Sequence, residues 1–465
     1  MHHIKYDWLY IIFVHESGVD REGRTLDGFL VNQVDNLQKC TFSHKIKVII
    51  VQNYPAEVRT LTQKEKRVMG EMNREFLYFY ETIVFESVNQ NDKIGFKKIH
   101  RTNYWQNAFN FIFTTYQAKK YTLHTQSHCT GHEINSTDYG FALNSYGVQL
   151  MSYRNELSSY NNQFYKKALK RLIHQRKNKY YLFAGLPKYN TKKVKLFALR
   201  KKHLKYWNVY NSTNGLLFYD FTTYLKSTKI KFEYVFLNNC NILLYENIYL
   251  LNDVAYFVFG SPGLIDGEFV NAEIIYNNLT ISTEPAEKAI VNIFYEFMSI
   301  VNRNDPSRIK NRHYSVIKLE SLFSLTEKLR FILFEINKIM QKSKKDFLLL
   351  KTYIESQKGK GFKIISDETG SKPYYDILEF VKIFIDYDQA LFKSLVLDFE
   401  NILLKKVILH NEAEDGENHY LSICFPNDEQ MFTKTIYLRS FFKQPKNSFA
   451  KYIGYDKFIS NYFPI

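Results

Sequence analysis

Short, unbroken apolar runs alternate with stretches of helical spacing along the first part of the chain. Trp8 to Val14, Lys45 to Gln52, Glu81 to Ser87, Tyr121 to Ser127, Phe232 to Asn238 and Val254 to Phe259 are rich in β-branched and aromatic residues. Runs of this length and composition read as buried strands. Between them, Thr25 to Leu37, Asn103 to Gln117, Gly215 to Ser227 and Ile242 to Leu251 carry apolar residues at helical spacing. Continuous apolar strands alternating with helices predict an α/β fold, with a mostly parallel six-stranded sheet covered by helices on both faces. After about residue 280 the pattern changes to long helical runs, Glu287 to Val301, Ser321 to Met340 and Tyr374 to Leu404. One more strand, His419 to Pro426, and a closing helical segment, Tyr452 to Phe463, follow. The expected organisation is a sheet domain over 1–280 and a mainly helical subdomain over 281–465 packed on it.

The 465 residues are 45 % hydrophobic and 17 % aromatic, which provides for a large core and argues against long disorder. The apolar run in Trp8 to Val14 is too short for a signal peptide core. No stretch approaches the about 18 apolar residues of a membrane span. Four scattered cysteines, Cys40, Cys129, Cys240 and Cys424, support neither a disulfide framework nor a zinc ribbon, and suit a reducing compartment. A cytoplasmic protein without metal or cofactor is expected. The net charge of +16 fits either a Lys-rich soluble surface or an anionic partner. The stretch 151–205 holds sixteen Lys or Arg against one acid, Glu156. It reads as a solvated insertion or, less favoured, as a nucleic-acid contact with interleaved tyrosines.

Two strands end at residues able to do chemistry. His128 follows Tyr121 to Ser127, and Cys240 follows Phe232 to Asn239. An imidazole beside a thiol raises the thiolate fraction and can later protonate a leaving amine. A helix starting near Ile242 would add positive partial charge beyond the sulfur. Open α/β sheets put their sites at the carboxyl ends of their strands. Each residue taken alone is more often structural, the strand-end His as a packed side chain and the Cys as a core residue; the pair at equivalent strand ends is what points to chemistry. His15 at the end of the first strand reads as structural, as does Cys424. His124, His128, Cys129 and His132 crowd one segment without the spacing of a metal site.

Ser127-His-Cys-Thr-Gly131 and Leu237-Asn-Asn-Cys-Asn-Ile-Leu243 resemble the His-Gly-x-Gly and Asp-Ala-Cys-Leu-Met elements of the clostripain-like cysteine peptidases, relatives of caspases and gingipains. Tyr420-Leu-Ser-Ile-Cys-Phe-Pro426 is similar to a later element of that family. The resemblance implies a caspase-like fold and peptide hydrolysis, with Cys240 as nucleophile and His128 as general base and acid. Backbone N–H groups of Cys129 and Cys240 would hold the oxyanion. Asn238, Asn239, Ser261 and Asp266 would contact a protein or peptide substrate, with a regulatory protein partner conceivable. Cys129 stands where the family has Gly, and Asn238 where it often has the Asp that pairs with a basic substrate side chain. An inactive relative serving as a scaffold is the other reading.

Overall fold

The computed structural model describes residues 5–15, 29–60, 76–127, 218–239, 242–263, 270–281, 284–304, 313–358, 374–413, 420–425 and 448–463. The strands are β1 (Tyr6–His15), β2 (Ile46–Thr60), β3 (Phe76–Gln90), β4 (Lys93–Thr102), β5 (Ala118–Gln126), β6 (Phe232–Asn238), β7 (Ala255–Gly260), β8 (His313–Lys318), β9 (Tyr374–Asp376), β10 (Ile408–Ala413) and β11 (Ser422–Cys424). The helices are α1 (Phe29–Gln38), α2 (Trp105–Thr115), α3 (Phe218–Ser227), α4 (Tyr245–Leu251), α5 (Ala272–Ile281), α6 (Ala286–Asn304), α7 (Leu322–Lys342), α8 (Lys344–Gln357), α9 (Ile377–Tyr387), α10 (Gln389–Ile402), α11 (Ser448–Ile453) and α12 (Tyr455–Tyr462). Among the described residues no helix is long and apolar enough to cross a membrane.

Among the described residues one sheet of nine strands, in the order β10-β8-β7-β6-β5-β1-β2-β3-β4, forms the centre. The run β2-β1-β5-β6-β7 is parallel, and the strands added at either edge are antiparallel. Strand periodicity divides its side chains between two cores. Leu9, Ile11, Phe13, Val235 and Leu237 face one side, packed with α2, α3, α4 and the helices of the carboxyl-terminal region. Trp8, Tyr10, Ile12, Val14, Tyr234 and Phe236 face the other, against α1, α5 and α6. This double burial explains why the parallel strands read as continuous apolar runs.

The sheet has nine strands rather than the expected six, because three strands lack an apolar run. β4 carries Lys93, Lys97, Lys98, His100 and Arg101 and is exposed or half-buried everywhere except at Ile94 and Gly95. It joins β3 through a two-residue turn in which Asn91 and Asp92 adopt φ of 53° and 62°, a hairpin device of short polar side chains. β8 and β10 lie among the long helical runs and extend the sheet beyond β7, so residues on both sides of position 280 build one sheet.

The expected Tyr374 to Leu404 helix is divided. Asp376 accepts hydrogen bonds from the N–H groups of Leu378 (2.8 Å) and Glu379 (3.0 Å), and Asp388 from Leu391 N–H (3.0 Å). Each carboxylate satisfies the free donors of a new helix start, so the segment becomes β9, α9 and α10. Gly454, at φ +76°, likewise separates α11 from α12 in the closing segment. β11 stands outside the main sheet, paired with β9.

Candidate functional site at the ends of strands β5 and β6

β5 and β6 are parallel neighbours whose last register pair is Gln126 with Asn238. Their carboxyl ends therefore stop at the same level of the sheet. Ser127 and Asn239 come next, and after them the chain enters His128 and Cys240. His128, Cys129, Cys240 and Asp266 lie outside the described residues, as does the basic stretch 151–205.

The side chain of Asn239 crosses from one strand end to the other. Its Nδ2 donates to the Ser127 carbonyl at 2.9 Å and to Ser127 Oγ at 2.7 Å. Its Oδ1 accepts from Thr125 Oγ1 at 2.7 Å. Thr125 and Asn239 are both wholly buried. A buried amide is costly unless its donors and acceptor are matched, and here both ends of the amide are engaged.

Asn238 points to the opposite face of β6. Its Nδ2 donates to His124 Nε2 (2.5 Å) and to the Val270 carbonyl (2.9 Å), and its Oδ1 accepts from Val270 N–H (3.2 Å). The amide thus pairs with Val270 as a strand backbone would, and fixes the chain where it re-enters before α5. Because Nε2 accepts, the proton of His124 sits on Nδ1 and is donated to the Tyr10 hydroxyl oxygen at 2.8 Å. Burial disfavours the imidazolium and lowers the His124 pKa to about 3. A second ring proton would also face the Asn238 amide donor. His124 is a neutral structural histidine with both ring nitrogens occupied.

Asn238, Asn239 and Ser261, read from sequence as substrate contacts, are all buried, with side chains bonded inside the protein. Ser261 Oγ accepts from Gly263 N–H at 3.1 Å and lies 3.2 Å from the Gly263 carbonyl. His15 is also buried, its Nδ1 accepting from Asn53 Nδ2 at 2.7 Å while Asn53 Oδ1 takes the Thr82 hydroxyl at 3.0 Å. Thr125 was not expected to take part. Its signal is visible afterwards: Thr122, His124, Thr125, Gln126 and Ser127 form a buried polar run in the second half of a core strand.

The segment just after Cys240 is held from two sides. Leu243 N–H donates to the Ser261 carbonyl at 3.1 Å, and Leu243 carbonyl accepts from Ser422 N–H at 3.0 Å and from Ser422 Oγ at 3.3 Å. Gly260 permits this approach, since a Cβ there would come within 3.0 Å of the Leu243 side chain. The following helix, α4, starts at Tyr245 rather than near Ile242. Its Glu246 is buried, with Oε1 accepting from Cys424 N–H at 3.3 Å and no partner for Oε2 among the described residues. Burial raises the Glu246 pKa to about 8, opposed by its own and the Cys424 backbone N–H. Cys424 is core, and burial holds its thiol well above the usual range.

No protein-family model and no curated protein matches the sequence. Solved structures do match the fold. An inactive zymogen C11 protease from Parabacteroides distasonis aligns with a TM-score of 0.56 and 13 % identity, over 97 % of this chain and 98 % of that one. A secreted C11 cysteine protease from Bacteroides thetaiotaomicron, in complex with an irreversible peptide inhibitor, aligns with a TM-score of 0.53 and 12 % identity, over 96 % and 99 %. The chain has the C11, clostripain-like fold. The likeness runs along nearly the whole of both chains, so it includes the carboxyl-terminal helices as well as the caspase-like sheet. The resemblance drawn from the strand-end motifs holds at the level of fold.

Proposed function

We propose that the protein is a cysteine endopeptidase with Cys240 as nucleophile and His128 as general acid and base. The observation that carries this reading is the bond from Asn239 to Ser127: the residue before Cys240 is tied directly to the residue before His128. The C11 fold adds to it, since two solved structures with that fold are described as C11 proteases.

In this reading the thiolate of Cys240 attacks the scissile carbonyl carbon, with its former proton held on His128. The tetrahedral oxyanion rests on the backbone N–H groups of Cys240 and Cys129. The C–N bond breaks, the imidazolium proton passes to the leaving amine, and a thioester remains. Water then gives a proton to the imidazole and attacks the thioester, releasing the acid and restoring the ion pair. A neutral residue, Asn238, stands two positions before the nucleophile, and its amide is already committed to His124 and Val270. This position therefore offers no acid to pair with a substrate Lys or Arg, and basic specificity is weakened unless Asp266 supplies the charge. Cleavage after Lys or Arg within 151–205, by another peptidase, is the proposed route of activation, as the family resemblance implies.

A panel of fluorogenic peptides tests the assignment. Cys240→Ala and His128→Ala are each expected to lose activity on the order of 10³-fold or more. Turnover that survives in Cys240→Ala would remove the mechanism. A second reading, an inactive relative that binds a partner, is favoured by Cys129 in the place of the family's Gly. It predicts no peptidase activity in the wild type and, if the basic stretch is the contact, salt-sensitive retention of RNA or DNA.

A further inference from the structure

We infer that Asn239, anchored by Thr125, is a positioning residue that sets the distance between the His128 and Cys240 strand ends. The inference rests on the dyad reading above and adds to it a residue that the family motif does not supply. The corresponding position in the Asp-Ala-Cys element is Ala, which has no polar atom to contribute.

The physical argument begins with the sheet. Register pairing between β5 and β6 ends at Gln126 and Asn238. Beyond that point the two chains have to be held by other means if their next residues are to stay at a fixed separation. The Asn239 amide has the donors and acceptor of a peptide group. It carries the connection one step further, to the Ser127 carbonyl, at 2.9 Å. The Ser127 carbonyl, which can only accept, decides which way the amide faces, and Thr125 holds its other end. The Thr125 hydroxyl donates to Oδ1 at 2.7 Å, with Nδ2 toward Ser127. The opposite orientation would bring Oδ1 against the Ser127 carbonyl, two acceptors together. With Thr125, Ser127 and Asn239 all buried, water cannot substitute for a lost partner at low cost. The brace therefore acts on the residues that immediately precede the proposed acid and nucleophile, without touching substrate. Asn238 steadies the other side of the same strand end through Val270.

The test uses the full chain and does not need turnover. Cys240 alkylation by iodoacetamide is followed against pH, with the modified peptide identified by mass so that Cys129 is counted separately. A thiolate paired with imidazolium reacts well below the pH at which an ordinary thiol does. His128→Ala should abolish that low-pH reactivity. Asn239→Ala and Thr125→Val should each shift the profile toward that of His128→Ala, slowing alkylation near neutral pH by on the order of 10-fold. Thr125→Ser, which keeps the hydroxyl, should restore the wild-type profile. Thr125→Val preserves side-chain shape, so it carries the test if Asn239→Ala does not fold, and thermal melts identify that case. If His128→Ala shifts the profile while Thr125→Val and Asn239→Ala keep the wild-type one, the brace is overturned and the dyad stands. If His128→Ala also leaves the profile unchanged, the dyad reading fails and the brace falls with it.

Discussion

Two buried polar hubs flank the segment that holds Cys240, one built on an imidazole and the other on a carboxyl. On the β5 side, His124 is held neutral between Tyr10 and Asn238, with a donor or acceptor matched to each ring nitrogen. On the α4 side, Glu246 is a carboxyl with one oxygen bonded to Cys424 N–H and the other without a partner among the described residues. Burial shifts both, the imidazole down to about 3 and the carboxyl up to about 8, so each favours its uncharged form. The difference lies in location. The histidine hub joins strands of the parallel sheet, while the carboxyl hub joins α4 to β11 near the chain's end. The first supports the strand end before Cys240, and the second supports the chain after it.

The sign of the pH dependence separates the hubs. His124 has a folded pKa below its unfolded value of 6.5, so its contribution is fully present above that value and is lost as pH falls toward about 3. The largest expected effect in acid is there. Stability should fall in acid by up to about 1.4 kcal/mol per pH unit from this one group. Urea titrations of wild type and His124→Gln at several pH values check it; equal acid slopes in both would break the comparison.

Glu246 behaves in the opposite sense. Its folded pKa lies above the unfolded value of 4.5, so its contribution is fully present below that value and is lost as pH rises through about 8. Glu246→Gln keeps the shape and cannot ionise. It should exceed wild type in stability above about pH 8, by up to about 5 kcal/mol, and match it below about pH 4.5. Thermal melts in alkaline and acidic buffers would show the crossover. The smallest effect belongs to Ser422→Ala, which removes the Oγ bond to Leu243 and leaves the Ser422 N–H bond to the same carbonyl. A loss of about 0.5–1.5 kcal/mol is expected, the usual size of one hydrogen bond, measurable by chemical denaturation.

Much of the sheet could be read from local pattern. β1, β2, β5, β6 and β7 are buried on both faces, and their apolar runs announce them without reference to any partner. The candidate site was legible only in its chemistry-bearing residues, His128 and Cys240, and in the motifs around them. Thr125 gave no expectation of its role, because a hydroxyl in a strand has meaning only when its neighbour across the sheet is known. Asn238 and Asn239 were expected to meet substrate, yet both amides are spent inside the fold.

Sequence alone determined that the central strands must be buried and where several of the helices lie, since hydrophobic periodicity is a local property of the chain. It also determined that a histidine and a cysteine each follow a core strand. Tertiary structure alone decided that β5 and β6 are neighbours in a register that aligns Gln126 with Asn238, and that Asn239 reaches Ser127 across 112 residues of chain. It also decided that β4, β8 and β10 extend the sheet, through backbone pairing rather than through apolar runs of their own. The physical reason is common to all three: hydrogen-bond partners distant along the chain are selected by strand order and register, which side-chain pattern does not encode.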